Sequence, residues 1–302
     1  MSILFDSFEE WRQECNARKC SPWLPVMEYE IQQKDRTEAE IWEGVAYAYQ
    51  VMKEAIQTGL EQDMVSFSGM INNGAKKIKN CNINVLDDNF RTLLFRTIAA
   101  KELNSCMGRI VAAPTAGASG IMPGIMFHLQ DVHQLPDQKI HEGMLVAAGI
   151  ALIIEKRASI SGAVGGCQAE TGTAAAMGAG AIVYCLGGDI DQIFESVAVT
   201  IMNMLGLICD PIAGLVEIPC VKRNASAAVI AFASAQIALA GDSAVIPVDE
   251  VVDVMGEVGE SMETRYKETA MGGLAASPTG KAITKRVLNP KAEILTSEPE
   301  NE

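Results

Sequence analysis

Three of the chain's eight cysteines lie in short loop-forming sequences between predicted helices, where thiolates can act as metal ligands. Cys167 follows two glycines, Cys209 precedes an Asp-Pro pair and Cys220 follows Ile-Pro. The steps of 42 residues and then 11 residues between them are too wide for the compact ferredoxin or zinc-finger spacings. From the residues alone, each of the three is either a small buried hydrophobe or a metal ligand.

Three loop cysteines suit an iron–sulfur cubane that is bound at three of its irons, because the fourth iron is then open and can act as a Lewis acid. Removal of a hydroxyl group as water needs such an acid, since hydroxide is a poor leaving group. No cysteine follows Cys220, which agrees with an open iron. Cys81, Cys106 and Cys185 are interpreted as buried hydrophobes.

A second candidate for chemistry is the glycine-rich segment 109–124, which combines small residues and hydroxyls ahead of an apolar run. Its backbone N–H groups could bind a carboxylate at a helix N-terminus, with Thr115 and Ser119 as further donors. A tight helix crossing that needs glycine for clearance explains the segment equally well. Nucleotide binding is disfavoured, because no Gly-Lys-Ser/Thr closes the segment and no Gly-x-Gly-x-x-Gly follows a strand.

The elements that must position these residues are predicted to be helices. Capping boxes at Ser7/Glu10 and Thr37/Glu40 each start one, and period-2 alternation is scarce. Further helices are predicted over 90–105, 142–157, 170–186, 190–208, 221–240 and 248–264. We therefore predict an all-α fold with one large helical domain over residues 1–302, whose Gly/Pro-rich loops converge on the cysteines. The acidic end, 297–302, is predicted to be a disordered tail.

Composition excludes several classes of function. Hydrophobic residues make up 49% of the chain but aromatic residues only 5%, which favours helices packed closely through small side chains. A formal charge of −14 disfavours nucleic-acid partners. The longest apolar run, about 225–240, is too short for a membrane span, and the N-terminus lacks a secretory signal. We expect a cytoplasmic protein whose thiols stay reduced.

Three ordered motifs carry a resemblance to a known family. They are residues 114–124 (PTAGASGIMPG), residues 161–170 (SGAVGGCQAE) and the segment from Cys209-Asp210-Pro211 through residues 220–225 (CVKRNA). Together they resemble the iron–sulfur L-serine dehydratase α chain, over most of residues 100–285. The resemblance implies an all-helical catalytic domain in which Cys167, Cys209 and Cys220 hold a [4Fe–4S] cluster.

The resemblance also implies an activity: a lyase that converts L-serine to pyruvate and ammonia at an open iron, without pyridoxal phosphate. The segment Thr115, Gly117, Ala118, Ser119 and Gly120 is then expected to bind the substrate. Supporting roles around the cluster loops fall to Glu170, Arg223 and Asn224. The base that removes the α-proton remains unassigned, and Lys76 and Lys222 are weaker candidates for positioning the carboxylate.

The family has a second module, either a β chain or an N-terminal domain, with a Ser-His-Thr motif. This sequence lacks that motif, and its histidines at positions 128, 133 and 141 are expected in surface or capping roles. A separate β subunit is therefore predicted, and a higher oligomer of αβ pairs is left open. Two alternatives remain: another iron–sulfur hydro-lyase acting on a small hydroxy acid, and a noncatalytic iron–sulfur redox-sensing subunit.

Overall fold

The computed structural model describes residues 5–83 and 85–288, and these ranges are built from helices. The α-helices within them are α1 Phe8–Arg18, α2 Trp23–Lys34, α3 Glu38–Glu61, α4 Gly74–Lys79, α5 Asp88–Ser105, α6 Ile121–His133, α7 Asp137–Arg157, α8 Gly162–Gly165, α9 Thr173–Cys185, α10 Ile190–Met204, α11 Cys220–Leu239, α12 Val248–Ser261 and α13 Pro278–Leu288. A π-helical turn covers Gln168–Gly172, and 3₁₀ turns cover Ile212–Gly214, Thr264–Tyr266 and Gly273–Ala276. Beside these helices the described ranges contain only two isolated β-bridges. The all-α prediction is confirmed, and the predicted tail at 297–302 lies outside the described residues.

Helix α9 is the centre of the core. Every one of its residues is buried, and it packs against α6, α7, α10 and α11. A helix surrounded in this way must be apolar on all sides. Its glycines allow the close approach: a methyl group on Gly178 would overlap Ile125 of α6, and one on Gly180 would overlap Ile150 of α7. The low aromatic content of the chain thus agrees with helices that pack closely through small residues.

The predicted helices from residue 142 onward all correspond to observed ones, with differences at their ends. Helix α7 starts earlier than predicted, at Asp137, directly after Pro136, which suits a helix start. Helix α10 ends at Met204, before the predicted residue 208, because Gly206 has a φ of +80° and leaves the helical region. In these two cases a proline or a glycine fixes the local backbone.

Both predicted N-caps are present. Thr37 and Glu40 form a reciprocal capping box at the start of α3. Ser7 accepts a hydrogen bond from the Glu10 N–H at the start of α1, but the Glu10 carboxylate bonds the backbone of Asp6 instead of that of Ser7. The capping sequences therefore predict both helix starts correctly, although the Glu10 carboxylate accepts from the N–H one residue before the N-cap.

Helices α5, α6 and α11 pack against one another and carry the segments of interest. The glycine-rich segment connects α5 to α6, and Cys220 is the first residue of α11. No helix in residues 5–83 and 85–288 is long and apolar enough to cross a membrane.

Candidate functional site

The fold brings the three loop cysteines into one buried region. Cys167 stands between α8 and the π-helical turn, Cys209 lies in the loop after α10, and Cys220 begins α11. Their exposed fractions are 1%, 3% and 6%, and all three are free thiols. Burial raises the pKa of each thiol, and Cys167 further raises the pKa of Cys209 and Cys220. Three sulfur donors from separate parts of the sequence therefore interact within one site.

Backbone contacts hold the loop of Cys209 in place. The Cys209 N–H donates to the Tyr266 carbonyl over 2.8 Å, and the Cys209 carbonyl accepts from the Glu268 N–H over 2.9 Å. Gln168, beside Cys167, is fully buried and accepts from the Gly206 N–H over 2.9 Å. Its backbone N–H also donates to the Leu207 carbonyl over 2.9 Å, so the cysteine loops at 167 and 209 are tied together.

Arg223 is a cation at the site. Its guanidinium donates to the Ile208 carbonyl over 2.8 Å and pairs with the buried Asp210 at 2.9 Å. Burial alone lowers the pKa of Arg223, but Cys167 and Asp210 outweigh this effect and raise it. Asp210 in turn accepts from the Leu274 N–H over 2.7 Å. The predicted supporting residue therefore links two cysteine segments.

Asn224 attaches the glycine-rich segment to α11. Its amide nitrogen donates to the carbonyls of Gly117, over 2.8 Å, and Cys220, over 2.9 Å, while its amide oxygen accepts from the Gly120 N–H over 3.0 Å. Asn224 is fully buried, so this network is shielded from water. The segment predicted to bind substrate is therefore fixed next to a cysteine.

Glu170 lies on the other side of the same segment. Its carboxylate accepts a hydrogen bond from the Thr115 hydroxyl, and a methyl group on Gly117 would overlap it. A side chain on Gly120 would meet Lys101 and Asn224. Both glycines are thus required for close approach.

The backbone N–H groups of residues 117–120 differ in whether they donate hydrogen bonds within the protein. Those of Ser119 and Gly120 donate within the protein, whereas no hydrogen bond in the described ranges uses those of Gly117 and Ala118. The Ser119 hydroxyl is fully buried and has no partner there. These groups are unpaired donors within the described ranges, and substrate binding by the segment stays a prediction.

Lys101 is a site residue that the sequence patterns did not reveal. It is fully buried in α5, its Nζ donates to the Val216 carbonyl over 3.1 Å, and burial lowers its pKa to about 8. The helical spacing of α5 was the signal that could have revealed it. Leu93, Thr97 and Lys101 follow one another at steps of four residues and therefore share one buried face. A charged residue on such a face indicates a special site.

Glu217 and Glu102 are two further buried acidic residues. The Glu217 carboxylate accepts from the hydroxyls of Ser66, over 2.6 Å, and Ser68, over 2.5 Å. Glu102 accepts from the Gly74 N–H over 2.7 Å and so binds the start of α4. Both depend on residues distant in sequence, which is why local patterns could not identify them.

Neither of the remaining basic candidates forms an ion pair with a site carboxylate in the described ranges. Lys76 pairs with the exposed Asp63 at 2.8 Å, and Lys222 is exposed. His133 is exposed, as expected. The expected surface or capping role is wrong for His128, which is 5% exposed and packs edge-on against Phe232, because it occupies an inward position of α6.

Comparison with known proteins identifies the family of the chain. The family model described as serine dehydratase alpha chain matches residues 17–275. The L-serine dehydratase alpha chain of Peptoniphilus asaccharolyticus is 42% identical over 277 residues, which cover 91% of this chain and 95% of that one. A probable L-serine dehydratase alpha chain of Bacillus subtilis (strain 168) is 40% identical, covering 85% and 87%.

A longer relative is also similar. The L-serine dehydratase of Streptomyces coelicolor is 35% identical over 269 residues, which cover 86% of this chain but 59% of that protein. The family match extends over most of the described residues and includes all three loop cysteines, the glycine-rich segment and Asn224. The chain belongs to the serine dehydratase alpha chain family.

Proposed function

We propose that this chain is the α subunit of an L-serine dehydratase, which converts L-serine to pyruvate and ammonia with a [4Fe–4S] cluster and without pyridoxal phosphate. The observation that supports this most is the meeting of Cys167, Cys209 and Cys220 in one buried site. The names of the relatives support the substrate and the reaction.

The donor set fits such a cluster. Three free, buried thiols are the ligands that iron–sulfur clusters use, and Arg223 is a cation beside Cys167. No three His, Cys, Asp or Glu side chains of residues 5–83 and 85–288 could hold a single metal ion. Cluster cysteines each bind a different iron, so they stand further apart than ligands that share one ion. When bound, the cluster would supply a Lewis acid for the departing hydroxyl.

The chain's own residues bind and orient the substrate. The free N–H groups of Gly117 and Ala118, with the unpartnered Ser119 hydroxyl, would receive the serine carboxylate at the start of α6. Asn224 keeps this segment at a fixed distance from Cys220, and Glu170 holds its Thr115 end. The carboxylate is thereby oriented before chemistry begins, which lowers the entropic cost of reaction.

A separate β subunit is part of the proposal. Relatives of similar length are named alpha chains, and the Streptomyces coelicolor relative extends well beyond its match to this chain. We propose that a β chain takes the place of that additional part and completes the active site. The αβ enzyme would work in the cytoplasm, where thiols remain reduced.

The experiment is anaerobic reconstitution with iron and sulfide, followed by metal analysis and spectroscopy with and without L-serine. About four irons per chain are expected for the wild type, and far fewer for Cys167→Ala. Cys185→Ala is the matched control, because Cys185 is buried but donates to the Lys139 carbonyl away from the site. Pyruvate formation is then measured after adding the β chain.

Each outcome separates the candidates. Folded wild-type protein that binds no iron would contradict the cluster assignment. A cluster that supports turnover of a small hydroxy acid but not of serine would indicate another hydro-lyase. A cluster without turnover in the αβ complex would indicate a redox-sensing subunit.

A further inference from the structure

Lys101 is a buried cation without a carboxylate partner. Its side chain is fully buried, and its ammonium donates to the Val216 carbonyl. No ion pair within the described residues includes it. Since an ammonium carries three donors, this single bond leaves most of its capacity unused. An uncompensated buried charge is costly, so its presence needs an explanation.

The fold fixes the place of this ammonium. The root of the Lys101 side chain lies against Gly120, where an added Cβ would come within 2.8 Å of its own Cβ. The Val216 carbonyl at its tip also accepts from the Ser105 hydroxyl over 3.0 Å. Val216 and Glu217 lie in the bend that precedes the turn into Cys220. Lys101 therefore extends from the glycine-rich segment toward the start of α11.

The groups around the ammonium are negative or can become so. Burial lowers the pKa of Lys101, while Cys220, Glu170, Glu217 and Cys167 act in the opposite direction. The buried ammonium of Lys101 therefore lies in a region that contains both carboxyl and thiol groups.

We infer that Lys101 is the counter-charge of the cluster site, whose buried ammonium compensates the negative charge of the loaded site. This inference rests on the proposed function. Lys101 acts as a positioning residue, because it influences the cluster through its charge and not as a ligand. Its charge is unfavourable in the empty protein and favourable in the loaded one.

The test removes the charge and follows both states. Lys101→Met and Lys101→Gln keep a side chain of similar length, and Lys77→Met removes an exposed lysine from α4, which packs against α5. For each protein we would measure the Tm of the apoprotein, the rate of iron loss to a chelator after reconstitution and the reduction potential of the cluster.

Both Lys101 variants are expected to keep or raise the apoprotein Tm, to lose iron at least ten times faster and to shift the potential to more negative values. The potential shifts because removal of a nearby positive charge makes reduction harder. The Lys77 control should match the wild type in all three measurements. A purely structural lysine would lower the apoprotein Tm and leave the potential unchanged.

Two results would overturn the inference. One is wild-type iron retention and potential in both variants, and the other is a destabilised or unfolded apoprotein in both. In the first case the wild type and the variants bind iron alike, so the proposed function survives. A wild type that holds no iron would instead remove the proposed function and this inference together.

Discussion

Asn224 connects two parts of the site that are more than a hundred residues apart in sequence. Its three hydrogen bonds reach the Gly117 carbonyl, the Gly120 N–H and the Cys220 carbonyl. An amide is suited to this position because it donates and accepts at one end of a short side chain. Loss of the amide would leave buried backbone groups without partners.

Replacing Asn224 by Ala should therefore lower both stability and cluster retention. The expected loss is about 1–3 kcal/mol in the free energy of unfolding, because buried polar groups lose their partners. Urea unfolding of the apoprotein measures this change. Asn203→Ala is the control, since Asn203 donates only to Val199 in its own helix and should change little. Equal losses of stability in Asn224→Ala and Asn203→Ala would show that the hydrogen bonds of Asn224 contribute no more to stability than that of Asn203.

Gly117 tests the close approach of the glycine-rich segment to Glu170. A methyl group there would overlap the Glu170 carboxylate, so Gly117→Ala should abolish most pyruvate formation while circular dichroism shows the same helix content. In the control, Gly44→Ala, the added methyl meets nothing within 4 Å on α3. It should stabilise the helix by about 0.5–1 kcal/mol and leave activity unchanged. Full activity of Gly117→Ala would contradict the tight contact.

His128 should make the apoprotein sensitive to mild acid. Burial lowers its pKa from 6.5 to about 4. Because the folded state resists protonation, the unfolded chain binds more protons between these values, so stability present above pH 6.5 is lost as the pH falls toward 4. The loss from this group is about 3 kcal/mol. Unfolding at pH 7 and pH 4.5 should show a smaller loss for His128→Phe, and His133→Phe should behave like the wild type.

At the residue scale, sequence predicted what local context can reveal. Cys167, Cys209 and Cys220 stood out because each occurs in a Gly- or Pro-containing loop. Lys101 did not, since its importance depends on a carbonyl 115 residues away. Local patterns report backbone geometry, whereas charge compensation depends on the packing of distant elements.

At the scale of elements, two of the shortest pieces flank Cys167. Cys167 follows the four-residue α8 and precedes a five-residue π-helical turn, which frequently occurs at functional sites. The sequence predicted a regular helix over 170–186, and the observed chain begins with this turn before α9 starts at Thr173. Hydrophobic periodicity cannot distinguish a π turn from an α turn over five residues.

The start of the long helix α3, in contrast, contributes stability that is separable from the site. Thr37→Ala removes the capping box of α3 and should cost about 1 kcal/mol. Thr37→Ser keeps the oxygen and should cost much less. Both variants should retain iron like the wild type, because the cap contacts none of the site residues. Thermal unfolding measures the cost in stability, and metal analysis measures iron retention. Loss of iron in Thr37→Ala would show that the start of α3 contributes to the site.

For the molecule as a whole, the cluster would join three separate segments of the chain. Ligands that bind only the folded state stabilise it, by about 3 kcal/mol when present at a hundred times the dissociation constant. The loaded protein should therefore unfold at a higher temperature than the apoprotein under anaerobic conditions. For Cys209→Ala, the unfolding temperature should be the same with and without reconstitution of the cluster. Equal unfolding temperatures for the wild-type preparations would argue against binding across all three segments.

The contacts of the Cys209 loop also limit how far the chain can be shortened. The last thiol donor is Cys220, yet the backbone of Cys209 bonds Tyr266 and Glu268, and Asp210 bonds Leu274. A minimal fragment designed to end soon after the last ligand would contain every cysteine of the site but not the residues that hold one of them in position. Fragments intended to carry the site must extend at least to Leu274.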